Sequence, residues 1–217
     1  MKVLVVMSSQ NAGGLTAACG EAARQGVVDG KSPARVINLN EFNIDRCAIC
    51  NDGWGLCRTE HRCIREDDFS KLQEMFDAAE GLVLITPVYF GEPSETFKAF
   101  FDRLRRCEAT KKSGTRSILA DKPTVCVAAA GGSGGGAIHC LAEMERLVRQ
   151  LGAMPFDYIP ITQKTREYQI ETIHDGLAAM CAPKAVEQTM PLSARKGTRD
   201  GKRGKRRIGR RRPAKES

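Results

Sequence analysis

The chain alternates short apolar runs with longer segments of helical spacing over about its first 160 residues, and this alternation restricts the fold more than any other feature. Repeated strand and helix units of this kind build a parallel sheet with helices on both faces. The sequence therefore predicts an α/β domain with a doubly wound, five-stranded parallel sheet. The predicted strands are Lys2–Met7, Ala34–Leu39, Gly81–Thr86, Thr124–Ala130 and Met154–Pro160. The predicted helices lie at about Leu15–Val28, Glu66–Ala79, Ser94–Arg106 and Ala137–Leu151, with a last one between Thr165 and Gln188.

Charge is distributed unevenly along the chain. Its 217 residues are enough for one domain with a single core and an additional segment. Residues 190–217 hold 12 of the 34 Lys and Arg residues but only 2 of the 26 Asp and Glu residues. Such a segment does not bury enough apolar surface to offset its ordering entropy. We therefore expect one domain at residues 1–190 and a disordered basic tail at residues 191–217. The tail either has no fixed partner or binds nucleic acid nonspecifically.

Hydropathy and cysteine usage favour a cytoplasmic protein without a membrane partner. No segment approaches the roughly 18 uninterrupted apolar residues of a membrane span. The apolar run Val3–Val6 is too short for the core of a signal peptide, and no small-residue cleavage site follows it. Without an export signal, the nine cysteines are expected to be thiols or metal ligands rather than disulfides.

The segment Ser8–Thr16 lies between the first predicted strand and the first predicted helix. Backbone N–H groups and the helix dipole converge at such a junction and favour an anion. Gly13 and Gly14 permit close backbone approach, and the candidate side-chain donors are Ser8, Ser9, Asn11 and Thr16. The pattern lacks the ending of a nucleoside-triphosphate loop and the glycine spacing of a dinucleotide site, so we predict a mononucleotide monophosphate. The alternative is a Gly-Gly turn with a Ser or Thr helix cap.

Two further segments follow strands at the same predicted edge of the sheet, Thr86–Gly91 and Gly131–Gly136. In a doubly wound sheet, ligands bind outside the carboxyl ends of the strands, so all three segments are expected to line one crevice. Pro87 and Gly91 favour a loop rather than a strand for the first segment. The alternatives are that Tyr89 and Phe90 complete a core and that the glycine run is a flexible linker.

With the segment Phe101-Asp102-Arg103, these loops resemble the NADPH-dependent FMN reductase family of flavodoxin-like proteins, over about residues 1–160. The resemblance implies a flavodoxin-like sheet with strand order 2-1-3-4-5 and bound FMN. It places the FMN phosphate at the first loop, the flavin ring at the second and the ring's other edge at the third. The implied binding residues are Ser9, Asn11, Gly14 and Thr16 for the phosphate, Pro87, Val88, Tyr89, Phe90 and Gly91 for the ring, and Gly131, Gly132 and Ser133 for its other edge.

The first loop departs from the family pattern at several positions. The family often has Gly-Ser-Pro-Arg where this chain has Ser8-Ser9-Gln10-Asn11, and Asn in place of Leu15. We therefore expect backbone amides, rather than these side chains, to carry more of the phosphate binding.

Four cysteines lie within seventeen residues of one another, in a predicted insertion at residues 45–65. The spacing resembles the cysteine segment of iron-sulfur flavoproteins, a branch of the same superfamily. It departs from that branch because Gly53 stands where the third cysteine would follow, and Cys57 comes four residues later. Thiolates bind both iron-sulfur clusters and zinc. Three alternatives stay open for Cys47, Cys50, Cys57 and Cys63: a four-iron cluster, structural zinc, or free thiols in a loop that covers the flavin.

The expected function is that of an FMN-dependent oxidoreductase in which the flavin, rather than a side chain, carries the chemistry. NAD(P)H is the expected electron donor, and a quinone, a free flavin or another small molecule is the expected acceptor. The alternative is an electron carrier whose cysteine segment holds a cluster and exchanges electrons with a ferredoxin-like protein. A homo-oligomer is expected, with a homodimer as its form.

Overall fold

The structure is a computed structural model that describes residues 1–109, 111 and 115–182. The predicted tail at 191–217 and the predicted domain boundary at 190 lie outside these residues. The strands are β1 (Val3–Met7), β2 (Ala34–Asn38), β3 (Gly81–Tyr89), β4 (Glu92–Pro93), β5 (Pro123–Ala130) and β6 (Met154–Thr162). The helices are α1 (Leu15–Asp29), α2 (Cys50–Gly53), α3 (Leu56–Thr59), α4 (Phe69–Ala78), α5 (Glu95–Glu108), α6 (Ala137–Gln150) and α7 (Arg166–Cys181), with a 3-10 turn at Leu39–Glu41.

Five strands form one parallel sheet in the order β2-β1-β3-β5-β6. This confirms the predicted topology, because β5 and β6 are the fourth and fifth predicted strands. The two-residue strand β4 was not predicted, and it pairs antiparallel with the end of β3. The strand order reverses between β1 and β3, whose carboxyl ends therefore flank the opening where a doubly wound sheet binds its ligand.

Strand β3 is longer than predicted and includes Pro87, Val88 and Tyr89. The prediction that Pro87 begins a loop is therefore wrong. Strand β1 pairs with β3 only as far as Ile85, whereas β5 continues alongside as far as Pro87. Pro87 has no N–H group to donate, and it is tolerated because β3 has a neighbour on only one side at that point.

The core has two halves because successive strand residues point to opposite faces of the sheet. Val3 and Val5 pack on the face covered by α1 and α7. Leu4 and Val6 pack on the face covered by α4, α5 and α6, where Phe76 and Phe100 stack with ring centroids 4.8 Å apart. The predicted helices on both faces are thus confirmed. No helix in the described ranges has the length and apolar character needed to cross a membrane.

Candidate functional site

An open crevice lies at the carboxyl ends of β3 and β5. Its cavity of about 680 Å³ is lined by the end of β3, the turn into β4 and the glycine segment after β5. The start of α1 lies next to the glycine segment, because a Cβ added at Gly131 would lie 4.0 Å from the Cβ of Leu15. The second and third predicted loops thus line one crevice, and the first loop ends beside the third, while no residue of the first loop is among the lining residues.

The loop after β1 ends at a helix start that no side chain caps. Gly14 is the N-cap of α1 and makes no side-chain hydrogen bond there. The side chains of the loop hold the loop itself: Asn11 Oδ1 accepts from the Gly13 N–H at 3.0 Å, and Ser9 Oγ accepts from the Asn11 N–H at 3.3 Å. The alternative of a Ser or Thr cap is therefore wrong. The first-turn amides of α1 stay available to an anion.

The remaining predicted phosphate residues are buried. Ser8 is 2% exposed, and its N–H donates to the Ile85 carbonyl at 3.2 Å. Thr16, 4% exposed, lies in the first turn of α1. Ser8 therefore joins the loop to β3, while the exposed residues of the loop are Gln10, Asn11, Ala12 and Gly13.

Two residues that the sequence analysis missed hold this loop in place. Asn38, at the end of β2, donates through Nδ2 to the Ser9 carbonyl at 2.7 Å. Ser94 caps α5 and donates through Oγ to the Ser8 carbonyl at 3.0 Å. Their detectable signals are a polar residue at the end of a predicted strand and a serine before a helix. The sequence does not show which residue either of them contacts, because both contacts join residues far apart in the chain.

The second loop is a two-residue turn between β3 and β4 that exposes its aromatic residues. Phe90 and Gly91 have φ angles of 52° and 85°, the pattern of a type I′ hairpin turn. A left-handed conformation costs a bulky residue such as phenylalanine about 1–3 kcal/mol. Phe90 is fully exposed and Tyr89 is 46% exposed. The alternative that both rings complete the core is therefore wrong, and their faces are available to a planar ligand.

The third loop is a shaped segment between β5 and α6. Gly136 has a φ of 81°, and an added Cβ would lie 2.6 Å from Gly91 Cα and 3.0 Å from Gly91 N. The two loops thus meet backbone to backbone, which only glycine permits. Gly131, Gly132 and Ser133 are exposed at the mouth of the crevice. The alternative of a flexible linker does not account for this close contact.

The sequence matches the NADPH-dependent FMN reductase family over residues 1–162, a range that contains all three loops. The chain belongs to this family. This match confirms the resemblance seen in the sequence.

Curated relatives of this FMN reductase family member include two archaeal iron-sulfur flavoproteins. One, from Methanocaldococcus jannaschii, is 29% identical over 105 residues, which cover 48% of this chain and 52% of the relative. The other, from Methanosarcina thermophila, is 31% identical over 84 residues, which cover 37% of this chain and 42% of the relative. The chain thus spans about half the length of the curated relatives it matches.

Solved structures share the fold at low sequence identity. A flavone reductase is 16% identical with a TM-score of 0.64, covering 83% of this chain and 63% of that chain. The NAD(P)H:quinone oxidoreductase of Methanothermobacter marburgensis is also 16% identical, with a TM-score of 0.62, covering 83% of this chain and 96% of that chain. These matches support the flavodoxin-like fold alone.

The crevice of this family member suits FMN in shape and in chemistry. The uncapped amides of α1 offer donors to a phosphate. Gly91 and Gly136 allow the second and third loops, which are expected to bind the flavin ring, to contact each other. A Cβ at Gly14 would lie 2.9 Å from Asn11 Nδ2, so Gly14 also leaves room for the side chain that shapes the loop.

Gly14→Val is expected to abolish retention of FMN through purification. The valine side chain displaces Asn11, whose Oδ1 accepts from the Gly13 N–H. The loop then loses the conformation in which its backbone N–H groups face the phosphate. Flavin absorbance per mole of protein after gel filtration measures the effect. Gln10→Ala is the control, because Gln10 is exposed and makes no hydrogen bond among those of the described loop, so its flavin content should stay nearly intact. A Gly14→Val protein that keeps its full flavin content would contradict this assignment.

The cysteine segment forms a second, separate cavity. All four cysteines, Cys47, Cys50, Cys57 and Cys63, line it, and each is partly buried. Its other walls are Arg103, Arg106 and Cys107, from the second half of α5. This cavity shares no lining residue with the crevice. The alternative of a thiol loop that covers the flavin has no support in this arrangement.

The four thiols surround the cavity rather than converge on one point. Among the residues that the structure describes, no three His, Cys, Asp or Glu side chains are arranged to hold a single metal ion. The alternative of a structural zinc site therefore has no support among the described residues. A four-iron cluster takes one thiolate at each of four corners, so the donor set fits a cluster in kind. The cavity is small, about 20 Å³, and the cysteine loops would need to move outward to admit one.

A buried ion pair anchors the cysteine segment to α5. Arg103 donates to Asp67 through two nitrogens, at 2.5 and 2.8 Å, and through Nη1 to the Asp45 carbonyl at 2.9 Å. Both side chains are at most 2% exposed. Burial alone raises the pKa of Asp67, but hydrogen bonds from Arg103 and from the Asp45 and Phe69 N–H groups outweigh it and leave that pKa below its ordinary value. Asp67 is therefore ionised at neutral pH.

Proposed function

We propose that this chain is an FMN-dependent oxidoreductase that takes electrons from NAD(P)H and passes them to a small acceptor such as a quinone or a free flavin. One observation carries the proposal: the loops that follow β3 and β5 line one crevice, and the uncapped start of α1 lies beside Gly131 at its edge. The names of the family and of the quinone oxidoreductase with the same fold support this donor and this class of acceptor.

The residues of the chain bind and orient FMN rather than move protons. The first-turn amides of α1 hold the phosphate, and Asn38 and Ser94 keep their loop against β3 and α5. Tyr89 and Phe90 expose ring faces that can contact the flavin, and the exposed residues Gly131, Gly132 and Ser133 can contact its other edge. When bound, FMN supplies the redox chemistry by accepting two electrons and passing them on.

Anaerobic titration of the purified protein with NADPH and, separately, with NADH tests the proposal. Flavin absorbance at about 450 nm should fall when one of the two donors is added and return when a quinone or free FMN is added. A protein that holds FMN but is bleached by neither donor would contradict the proposed electron donor. Bleaching without recovery on adding any acceptor would contradict the proposed class of acceptor.

A second candidate function is electron transfer through an iron-sulfur cluster as well as FMN, with a ferredoxin-like protein as partner. The observation that favours it is that all four cysteines of the insertion line one cavity. The curated relatives are named iron-sulfur flavoproteins, which supports the same candidate. Iron and acid-labile sulfide measured in protein purified anaerobically test it: about four of each per chain are expected. Protein that contains FMN but neither iron nor sulfide would contradict it.

A further inference from the structure

Cys57 and Cys63 are distinguished from the other cysteines of the insertion by their contact with the hydrophobic core. Both pack against the core half that contains α5, and both line the cysteine cavity. Both also lie close enough to the buried Cys107 of α5 for their charges to act on its thiol. Cys47 and Cys50 line the same cavity but are not among the described residues that pack on this core. Cys57 and Cys63 therefore lie together on the α5 side of the cavity.

The space between the cysteines is small. At about 20 Å³ the cavity has room for about one water molecule, so thiols that line it meet after small movements of the segment. A disulfide joins residues whose Cα atoms are roughly 4.4–6.8 Å apart. Five residues separate Cys57 from Cys63, and the chain bends between them at His61, where φ is 57°. The intervening chain is long enough to close such a loop.

A fixed positive charge lies at Cys63. Arg103 lines the cavity, and its side chain is 1% exposed. Burial alone would lower the pKa of Arg103, but the hydrogen bonds that it donates to Asp67 and to the Cys63 side chain outweigh burial and leave that pKa above its ordinary value. The Nε of Arg103 is buried and has no hydrogen-bond partner among the described residues. A guanidinium beside a cysteine is typical of sites where the cysteine reacts as a thiolate.

Cys107 also lines the cavity, but it is unsuited to the same chemistry. Its side chain is fully buried. Burial, followed by the charges of Cys63 and Cys57, raises the pKa of its thiol to about 12. Cys107 therefore stays protonated at neutral pH, and it is the thiolate that attacks a disulfide. Cys107 does not compete with the two partly buried cysteines.

We propose that Cys57 and Cys63 form a reversible oxidation site that reacts with small-molecule disulfides such as glutathione disulfide. The Cys63 thiolate attacks one sulfur of the reagent, which forms a mixed disulfide and releases one glutathione thiolate. The Cys57 thiolate then attacks the Cys63 sulfur, which forms the internal disulfide and releases the second glutathione thiolate. Two thiols of the chain are oxidised to one disulfide, and glutathione disulfide is reduced to two glutathione molecules that take up the two thiol protons.

The test uses the full chain, purified anaerobically with a reducing agent, freed of that agent and incubated with glutathione disulfide at neutral pH. Alkylation of the remaining thiols, digestion with trypsin and mass spectrometry locate the product. Trypsin cuts after Arg58 and Arg62, so Cys57 and Cys63 fall in separate peptides that only a disulfide joins. The unmodified protein should lose two of its nine thiols and yield this joined pair.

Cys57→Ser and Cys50→Ser are a matched pair of variants, because both residues line the cavity and lie in the same tryptic peptide. Cys57→Ser should form no internal disulfide and should instead carry one glutathione on Cys63. Cys50→Ser should yield the joined peptides to the same extent as the unmodified protein. Flavin content and far-ultraviolet circular dichroism verify that each variant is folded.

Nine unmodified thiols after the incubation would overturn the inference, as would a disulfide between any other pair of cysteines or joined peptides from Cys57→Ser. Bound iron that holds the four cysteines of the insertion and prevents the disulfide would also overturn it, and would support the second candidate function above. Each of these results leaves the FMN-dependent oxidoreductase function standing, because the crevice and the cysteine cavity share no lining residue.

Discussion

Gly136→Val is expected to yield a protein that purifies without flavin, with affinity for FMN reduced by about a hundredfold or more. The Cβ of the valine would lie 2.6 Å from Gly91 Cα and 3.0 Å from Gly91 N, and because these are backbone atoms, one of the two loops must shift. The φ of 81° at Gly136 adds strain for any β-branched residue. The turn carrying Phe90 and the loop carrying Ser133 are thus forced apart. Fluorescence quenching of FMN by the protein measures the affinity.

Gly135→Ala is the control for that experiment. A Cβ at Gly135 meets only Ser133 Oγ, at 3.6 Å, which is an ordinary contact. Its affinity for FMN should fall by much less than that of Gly136→Val. If both variants lose the same affinity, general stiffening of the glycine segment is responsible, and the contact between the two loops is not what holds the flavin.

Asp67→Asn is expected to lower the free energy of unfolding by about 3–5 kcal/mol, because it leaves the guanidinium of Arg103 buried without its counter-charge. The cysteine segment would also lose its anchor on α5. Urea unfolding at neutral pH, followed by circular dichroism, measures the loss. Asp68→Asn is the matched control: Asp68 accepts from the Asn43 N–H at 2.8 Å and pairs with no arginine in the part of the chain that the structure describes, and asparagine can still accept that bond. Equal losses in both variants would contradict the role of the ion pair.

The same ion pair makes the protein sensitive to acid. The pKa of Asp67 is lower in the folded than in the unfolded chain, since hydrogen bonds from Arg103 outweigh the burial that raises it. Its contribution to stability is therefore complete above the unfolded pKa, about 3.9, and is lost as the pH falls through the folded value. Below about pH 4, unfolding free energy should fall more steeply in the unmodified protein than in Asp67→Asn. Parallel pH profiles would contradict this assignment.

The sheet and the three crevice loops were predictable because local sequence determines them. Runs of Val, Leu and Ile indicate β1 and β3, apolar runs with other residues indicate the remaining parallel strands, and Gly13, Gly14 and the glycine-rich segment Gly131–Gly136 indicate the loops. The end of β3 was predicted wrongly at Pro87. A proline is tolerated there because β1 pairs with β3 only as far as Ile85, and the sequence does not show where that pairing ends. The turn at Phe90 and Gly91 was missed because a type I′ turn is usually signalled by Asn-Gly or Asp-Gly.

Long-range partners were not predictable from the pattern of residues. Arg103 and Asp67 are 36 positions apart, and Ser94 and Ser8 are 86 positions apart. Each of these polar residues also has an ordinary local explanation on a helix or at a helix end, so the sequence does not reveal that it is buried or paired. The contacts of Arg106 with Gly53 and Trp54 depend in the same way on the fold, which brings these two residues onto α5.

Binding of FMN and of riboflavin to flavin-free protein, compared by calorimetry, tests the phosphate site at the start of α1 most directly. The two ligands share the ring and differ in the phosphate, for which the uncapped amides of α1 are the donors. Hydrogen bonds to a charged group contribute about 1.5–3 kcal/mol each, so FMN should bind about a hundredfold more tightly than riboflavin, or tighter still. Equal affinities for FMN and riboflavin, or no binding of FMN, would contradict the account.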